Sequence, residues 1–429
     1  MKRNKLFLHL VFLGAACVLL GGNAICRFIY ANGLSRMSNM YFYDLYLRYN
    51  EIECAHDGID PFDIFERKKT SEKFWGIPRP DKSDERLEER LGGTNRRFVH
   101  AYPAWHTAVF WWYGFIPYYV CIIMMVILYF CSLVWICKWI VEKMHKRDPV
   151  DNIEDILFLF VFVLYPFTGI CCSLNYGLFL LGCTLLLLTL LERKHEVLAG
   201  VIFSLIMIKP QIGIILLIPL FVNRNYKTIA IAGAICILET LFTAWQLDKS
   251  PIELILHLPK IGAPFSKGFL AETANKLLGP MGQYLVMGTF MGVATIGCFL
   301  VRDAKEVWVR FLPAFVVIPF WTYSQAHDWL VVVPCFIYVI NNRQKHPRLY
   351  DSCVSLIILW SVVFFCYERE WYSVGKKGVA TILLLALFSI IYYMIILENN
   401  KKAFGAKFYK YILNGRPPKK TPSDKIERQ

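Results

Sequence analysis

The sequence predicts an all-α polytopic membrane protein of about twelve transmembrane helices, within a range of about 11–13. Three observations predict it. Of the 429 residues, 56% are hydrophobic and 19% charged, against about 45–50% and about 25% in a soluble domain. The apolar residues are clustered: Leu6 to Ile25, Tyr118 to Val141 and Val379 to Leu397 carry almost no charge, and about 20 apolar residues suffice to span a bilayer. The basic residues gather in the short connections between such runs. A soluble enzyme, a disordered tail protein and a secreted disulfide scaffold are excluded.

Hydrophobic segments run over 6–31, 116–141, 153–172, 176–191, 197–208, 210–222, 228–247, 282–301, 308–323, 328–341, 351–368 and 378–398. The first follows Met1-Lys2-Arg3-Asn4-Lys5 and is longer than the core of a signal peptide, so it reads as an uncleaved span. With the N-terminus in the cytoplasm, the loops holding Lys143, Lys146 and Arg147; Arg193 and Lys194; Arg224 and Lys227; Arg302, Lys305 and Arg310; and Arg343, Lys345 and Arg348 all fall inside. So does the basic tail 399–429, which makes both termini cytoplasmic. The net charge of +14 is then the positive-inside pattern, and no nucleic-acid partner is expected.

Segment 197–222 is broken by Lys209-Pro210. Each half is about 18 Å long, too short for a core of about 30 Å. A single kinked helix would place every later basic loop outside, so a short hairpin with its tip inside the membrane is preferred. The short runs 176–191 and 328–341 add to this, and together they suggest a cavity opening to the outer face. Residues 1–398 form one transmembrane domain, with a large first extracytoplasmic loop at 32–115 and a second at 248–281. Fourteen cysteines are scattered without a CxxC pair. They read as small buried hydrophobes, with Cys54 alone in a polar loop, and neither a metal site nor a disulfide framework is expected.

Chemistry concentrates at a few places. Asp44 lies among Tyr41, Phe42, Tyr43 and Tyr46, about a dozen residues past the first span. Aromatics are ordinary at a membrane boundary, whereas a carboxylate between them is either a base or a loop aspartate. Asp57-Gly58-Ile59-Asp60-Pro61-Phe62 reads as a turn, and Lys82 to Arg97 as a solvated helix face. His100 to His106 is an interfacial anchor or part of a polar site. Lys209, between apolar runs, either faces a polar cavity suited to a phosphate or snorkels to the surface. Asn175-Tyr176-Gly177, at the outer end of a neighbouring short helix, could share that cavity. Ser324-Gln325-Ala326-His327-Asp328-Trp329 is a polar tip that either binds phosphate, tunes a base or is a plain loop. No Walker motif is present.

These pieces together resemble a GT-C glycosyltransferase. The resemblance rests on the aspartate after the first span, the turn Gly58-Ile59-Asp60-Pro61-Phe62, and the run Leu198 to Gln211, whose small-residue helix ends in Lys209-Pro210. That run and the tip Ala326-His327-Asp328 resemble glycosyltransferase family 87, the polyprenyl-phosphate-mannose-dependent mannosyltransferases. Two places depart from the family pattern: Tyr102-Pro103-Ala104 stands where Tyr-Pro-Pro is common, and Ser173-Leu174-Asn175 where Gly-Gln precedes Asn.

The resemblance implies a GT-C fold in the plasma (inner) membrane with the active site on the extracytoplasmic side. It implies a lipid-linked sugar donor, a glycan or glycolipid acceptor, and no cofactor or metal. Asp44 would be the catalytic base of an inverting transfer. Lys209 and His327 would hold the donor phosphate, and Tyr43, Arg48, Tyr102, Asn175, Gln211 and Asp328 would line the substrates. A transporter or flippase for lipid-linked sugars, and a polysaccharide polymerase or ligase, are the competing readings. Charges inside the spans are scarce, which disfavours the first. The large loop comes early, which disfavours the second.

Overall fold

A computed structural model describes residues 43–58, 60–61, 102–144, 174–256, 269–279, 281–321, 326–366 and 374–399. The segments 6–31 and 153–172, the Lys82–Arg97 stretch and the basic tail lie outside the described residues. The described chain is helical. The first elements are α1 (Tyr43–His56), α2 (Ala104–Val109), a 3-10 turn (Trp111–Phe115) and α3 (Tyr118–Lys143). Next come α4 (Gly177–Glu192), α5 (Glu196–Ile206), α6 (Pro210–Val222), α7 (Tyr226–Gln246), α8 (Pro251–Leu256) and α9 (Phe269–Leu278). The last are α10 (Met281–Val301), α11 (Val307–Trp321), a second 3-10 turn (Ala326–Val332), α12 (Val333–Asn342), α13 (Pro347–Cys366) and α14 (Val374–Asn399).

Every predicted segment that falls on described residues coincides with a helix, except that 328–341 begins as a 3-10 turn and becomes α-helical at Val333. Four helices are long and apolar enough to cross a membrane: Tyr118–Lys143, Tyr226–Gln246, Met281–Val301 and Gly378–Asn399. The others are shorter apolar helices, and this is a membrane protein. Cys54 departs from the expectation of a polar loop: it is buried on α1.

Contacts at the helix ends fix their relative direction. Lys143, closing α3, bonds Glu192, closing α4, at 2.7 and 2.8 Å. Asn341 of α12 donates to the Lys143 carbonyl at 2.8 Å. Trp139 of α3 meets Trp308 of α11 edge-on at 5.8 Å. His346, just before α13, bonds Glu398 of α14 at 2.8 Å. One end of the bundle therefore collects Lys143, Arg193, Lys194, Arg310, Arg343, Lys345 and Arg348.

The broken segment 197–222 is a hairpin. The Thr228 hydroxyl, at the start of α7, donates to the Glu196 carbonyl at the start of α5 at 3.2 Å. Gly200 lets the two helices close: a Cβ there would meet the Thr228 carbonyl at 3.0 Å and Ile231 at 2.7 Å. So α5 and α7 begin at the same end and run in parallel, packed directly on each other, and α6 brings the chain back to that end. A single kinked helix would have left Thr228 at the far end. At about 1.5 Å per residue α5 rises about 16 Å, so the tip at Met207–Lys209 stands about halfway up the roughly 32 Å of α7.

Backbone at such depth must find partners within the protein. The Trp105 indole donates to the Met207 carbonyl at 2.9 Å, and the Trp321 indole to the Gln211 carbonyl at 2.7 Å. Pro210 starts α6, where the missing N–H costs nothing. The helices α4, α6 and α7 each stop with a residue at positive φ: Lys194, Arg224 and Asp248. The bonds His195 N to Leu190 O, Asn225 N to Leu220 O and Lys249 N to Ala244 O, each 2.9 Å, complete the six-residue closures that end a helix sharply.

Candidate active site

The basic end is one pole of the bundle, and a chain of polar side chains lies toward the other. Asp44 sits in the first turn of α1. Arg48 and Glu51 follow at i+4 and i+7, so all three share one helix face. Asn175 precedes α4, Lys209 is the residue before α6, and Asp328 lies in the second 3-10 turn. These four elements converge. Asn175 Nδ2 donates to Asp44 Oδ2 at 2.8 Å. Lys209 Nζ donates to Asn175 Oδ1 at 2.8 Å and to Asp328 Oδ1 at 2.6 Å. The Gly177 N–H adds a bond to Asn175 Oδ1 at 3.2 Å.

Burial grades along this chain. Asp328 is 1%, Lys209 3% and Asn175 5% exposed, while Asp44 is half-buried. Three members are thus sealed, and the carboxylate at the end of the chain is the one that meets the outside. A buried ammonium is tolerated only when it is paired and hydrogen-bonded, and Asp328 and Asn175 supply both conditions for Lys209.

Arg48 lies against this end. Its guanidinium bonds Glu51 at 2.6 Å and sits 4.6 Å over the Tyr102 ring. Burial pushes the Glu51 carboxyl up to about 8, against the downward pull of Arg48 and with a smaller upward push from Asp44. Burial likewise holds the Tyr102 hydroxyl well above its ordinary value. Tyr102 stacks on His106, with ring centroids 4.5 Å apart, and His106 bonds the Tyr176 hydroxyl at 3.1 Å. Phe110 stacks on Tyr176 at 4.7 Å. An aromatic wall therefore backs the polar chain.

Such an arrangement offers a half-exposed base, held from behind by an amide that a buried cation polarises, beside an arginine fixed on a tyrosine face. A family model for glycosyltransferase family 87 matches residues 100–340, more than half of the chain. The chain belongs to glycosyltransferase family 87. No curated protein and no solved structure matches it.

The family makes this protein a glycosyltransferase and sets aside the reading as a transporter. Asn175, Lys209 and Asp328 fall within the matched residues, whereas Asp44 and the Gly58 turn precede them. The structure brings Asp44, Arg48, Tyr102, Asn175, Lys209 and Asp328 together. Gln211 stands in the first turn of α6, half-buried, with its carbonyl on Trp321. The side chains of Tyr43 and His327 lie outside what is described.

The Gly58 turn is a turn, with Gly58 at φ 72. It is docked away from the chain of polar groups: Asp60 pairs at 2.6 Å with Lys249, beyond the end of α7. His106 and Tyr176 belong to the stretches that the sequence offered as parts of a polar site, whereas Glu51 was not singled out. For Glu51 the signal was available, because an acid at i+7 from Asp44 and i+3 from Arg48 shares their face.

Proposed function

We propose that this glycosyltransferase moves a sugar, mannose by the family resemblance, from a polyprenyl-phosphate donor to a glycan or glycolipid acceptor. The reaction is a direct displacement. The acceptor hydroxyl attacks the anomeric carbon and its proton passes to Asp44. The bond from that carbon to the phosphate oxygen breaks, configuration inverts, and polyprenyl phosphate leaves. His327, and Lys209 through its charge from behind Asn175, stabilise the departing phosphate, while Tyr43, Arg48, Tyr102 and Gln211 shape the substrate site and Asp328 holds Lys209.

The observation that carries this reading is the unbroken line from Asp44 through Asn175 to Lys209 and Asp328, with only its Asp44 end half-exposed. It sets an acceptor-side carboxylate and a cation at the two ends of one amide. The basic loops gather at the opposite end of the bundle, and by the positive-inside rule that end is cytoplasmic. The site then faces the extracytoplasmic side of the plasma (inner) membrane, where a lipid-linked donor is used and no nucleotide site is required.

The test is transfer in vitro from radiolabelled polyprenyl-phosphate-mannose to a membrane extract, with Asp44→Asn alongside. The native chain yields labelled product, and the variant loses about 10²–10⁴-fold in rate, the usual worth of a general base. Equal product from both would remove Asp44 from the mechanism. Labelled product from another lipid-linked sugar, and none from mannose, would replace the donor.

A further inference from the structure

We propose that Asn175 is the positioning residue of the transfer, holding the Asp44 carboxylate aimed, with one oxygen occupied, while coupling it to the Lys209–Asp328 pair. The proposal rests on the reading of Asp44 as the base and says how that base is kept ready.

The orientation of the amide is settled by its neighbours. The Gly177 N–H and the Lys209 ammonium can only donate, so the atom facing both is the oxygen. The NH₂ group must then face Asp44, and it too can only donate. Such a donor favours the carboxylate over the carboxylic acid. It occupies Oδ2, which leaves Oδ1 to take up the proton of an acceptor hydroxyl. Lys209, bound to the amide oxygen, draws charge through the amide and strengthens the bond to Asp44.

The backbone before Asn175 is also held against local preference. Leu174 is buried at φ 48, in the left-handed region that a leucine rarely adopts. Backbone of this kind persists where the surroundings over-determine it, and it gathers at working sites.

The groups with an electrostatic bearing on Asp44 are Arg48 and Glu51 from its own helix and Tyr102 from the segment before α2. Lys209 and Asp328 act on it from behind Asn175. Of the elements packed against α1, α2 brings His106, engaged with Tyr176, the first 3-10 turn brings Tyr113, α3 brings Tyr118, and α7 brings Glu239.

Asn175→Asp separates positioning from a structural role. An aspartate keeps the shape, accepts from Gly177 as well as asparagine does, and still faces Lys209. Only the donor to Asp44 is lost, replaced by a carboxylate oxygen. Lys209 and the Gly177 N–H keep the new carboxylate ionised, so the shared proton resides on Asp44 until higher pH. The acidic limb of the kcat–pH profile moves upward by about 1–2 units. Rate at neutral pH falls about tenfold or more and recovers at alkaline pH, with the donor KM little changed. Carboxylic C=O absorption in the infrared, assigned by its loss in Asp44→Asn, reports the same shift without turnover.

A limb and an infrared titration that match the native protein, beside an inactive Asp44→Asn, overturn the role of Asn175 alone. A loss confined to KM does so as well, since it would make Asn175 a substrate contact. Full activity in Asp44→Asn overturns the base and the proposal together. Should Asn175→Asp fail to accumulate, Asn175→Ala removes the donor without adding charge. It moves the limb in the same direction by less, and an unmoved limb there overturns the proposal equally.

Discussion

Lys209→Met tests whether the cation at the hairpin tip is held as the structure implies. At 2.6 Å and an effective dielectric of about 20, its attraction to Asp328 is about 6 kcal/mol. Relaxation returns part of that, and breaking one side of a buried pair typically costs about 3–5 kcal/mol. Lys209→Met leaves the 1%-exposed Asp328 without its ammonium, and Asp328→Leu leaves the ammonium to Asn175 alone. Each single variant is therefore destabilised by about 3–5 kcal/mol, whereas the double variant regains native stability or exceeds it. The assay is reversible unfolding in mixed micelles with increasing dodecyl sulfate, run as a double-mutant cycle. Transfer activity is read in parallel and, on the proposed mechanism, stays lost in the double variant, because no cation remains behind Asn175. Additive single effects, with the double variant as weak as their sum, would refute a desolvated pair. Activity restored along with stability would refute any part for Lys209 in the chemistry.

The remaining predictions concern the hairpin tip and the helix face of the base. Gly213→Ala places a Cβ 2.4 Å from the Met207 sulfur and 3.1 Å from its Cα, so the tip opens. The expected cost is about 1–3 kcal/mol, and kcat falls more than stability because Lys209 moves with the tip. Unchanged kinetics would count against a tightly set tip. Glu51, pushed up to about 8, keeps a proton in the folded protein that the unfolded chain releases near its ordinary value of about 4.3. Native stability therefore falls as pH rises between those values. Glu51→Gln lacks this slope, so its melting temperature gains on the native one from pH 5 to pH 8. Parallel curves would mean that Glu51 is ionised throughout as the partner of Arg48.

Helix positions were legible because one force sets them: a run that must leave water reads the same whether it meets lipid or other helices. Thus 210–222 coincides with α6, and 176–191 lies within one residue of α4. The apolar run 328–341 was read as one helix, yet the structure starts it as a 3-10 turn and changes to α-helix at Val333, with Pro334 in the first turn. Hydropathy does not see that change, since both forms bury the same side chains. The members of the site were legible as polar residues in apolar surroundings, but their partners were not. Lys209 read as a lone cation suited to phosphate, whereas its nearest anion comes from Asp328, 119 positions away. Pairing over such a distance depends on where the helices end, and composition does not carry that.

Helix length explains why this polar chain sits where it does. From the shared end at Lys143 and Glu192, α3 climbs about 39 Å and α4 about 24 Å. Asn175 therefore stops about 15 Å short of the far end of α3, near the level where the hairpin tip presents Lys209. The start of α4, the hairpin tip and the second 3-10 turn thus bring backbone and side-chain polar groups well below the tops of the long helices. Polar groups there must be satisfied by one another or by protein that closes over them. Here both occur: the four side chains bond in a line, while α1, α2 and the first 3-10 turn pack together above them. Lengthening α4 by a turn would carry Asn175 past both Lys209 and Asp44. The shortness of α4, α5 and α6, which makes them poor membrane spans taken singly, is what places a half-exposed carboxylate and a buried cation on opposite sides of one amide.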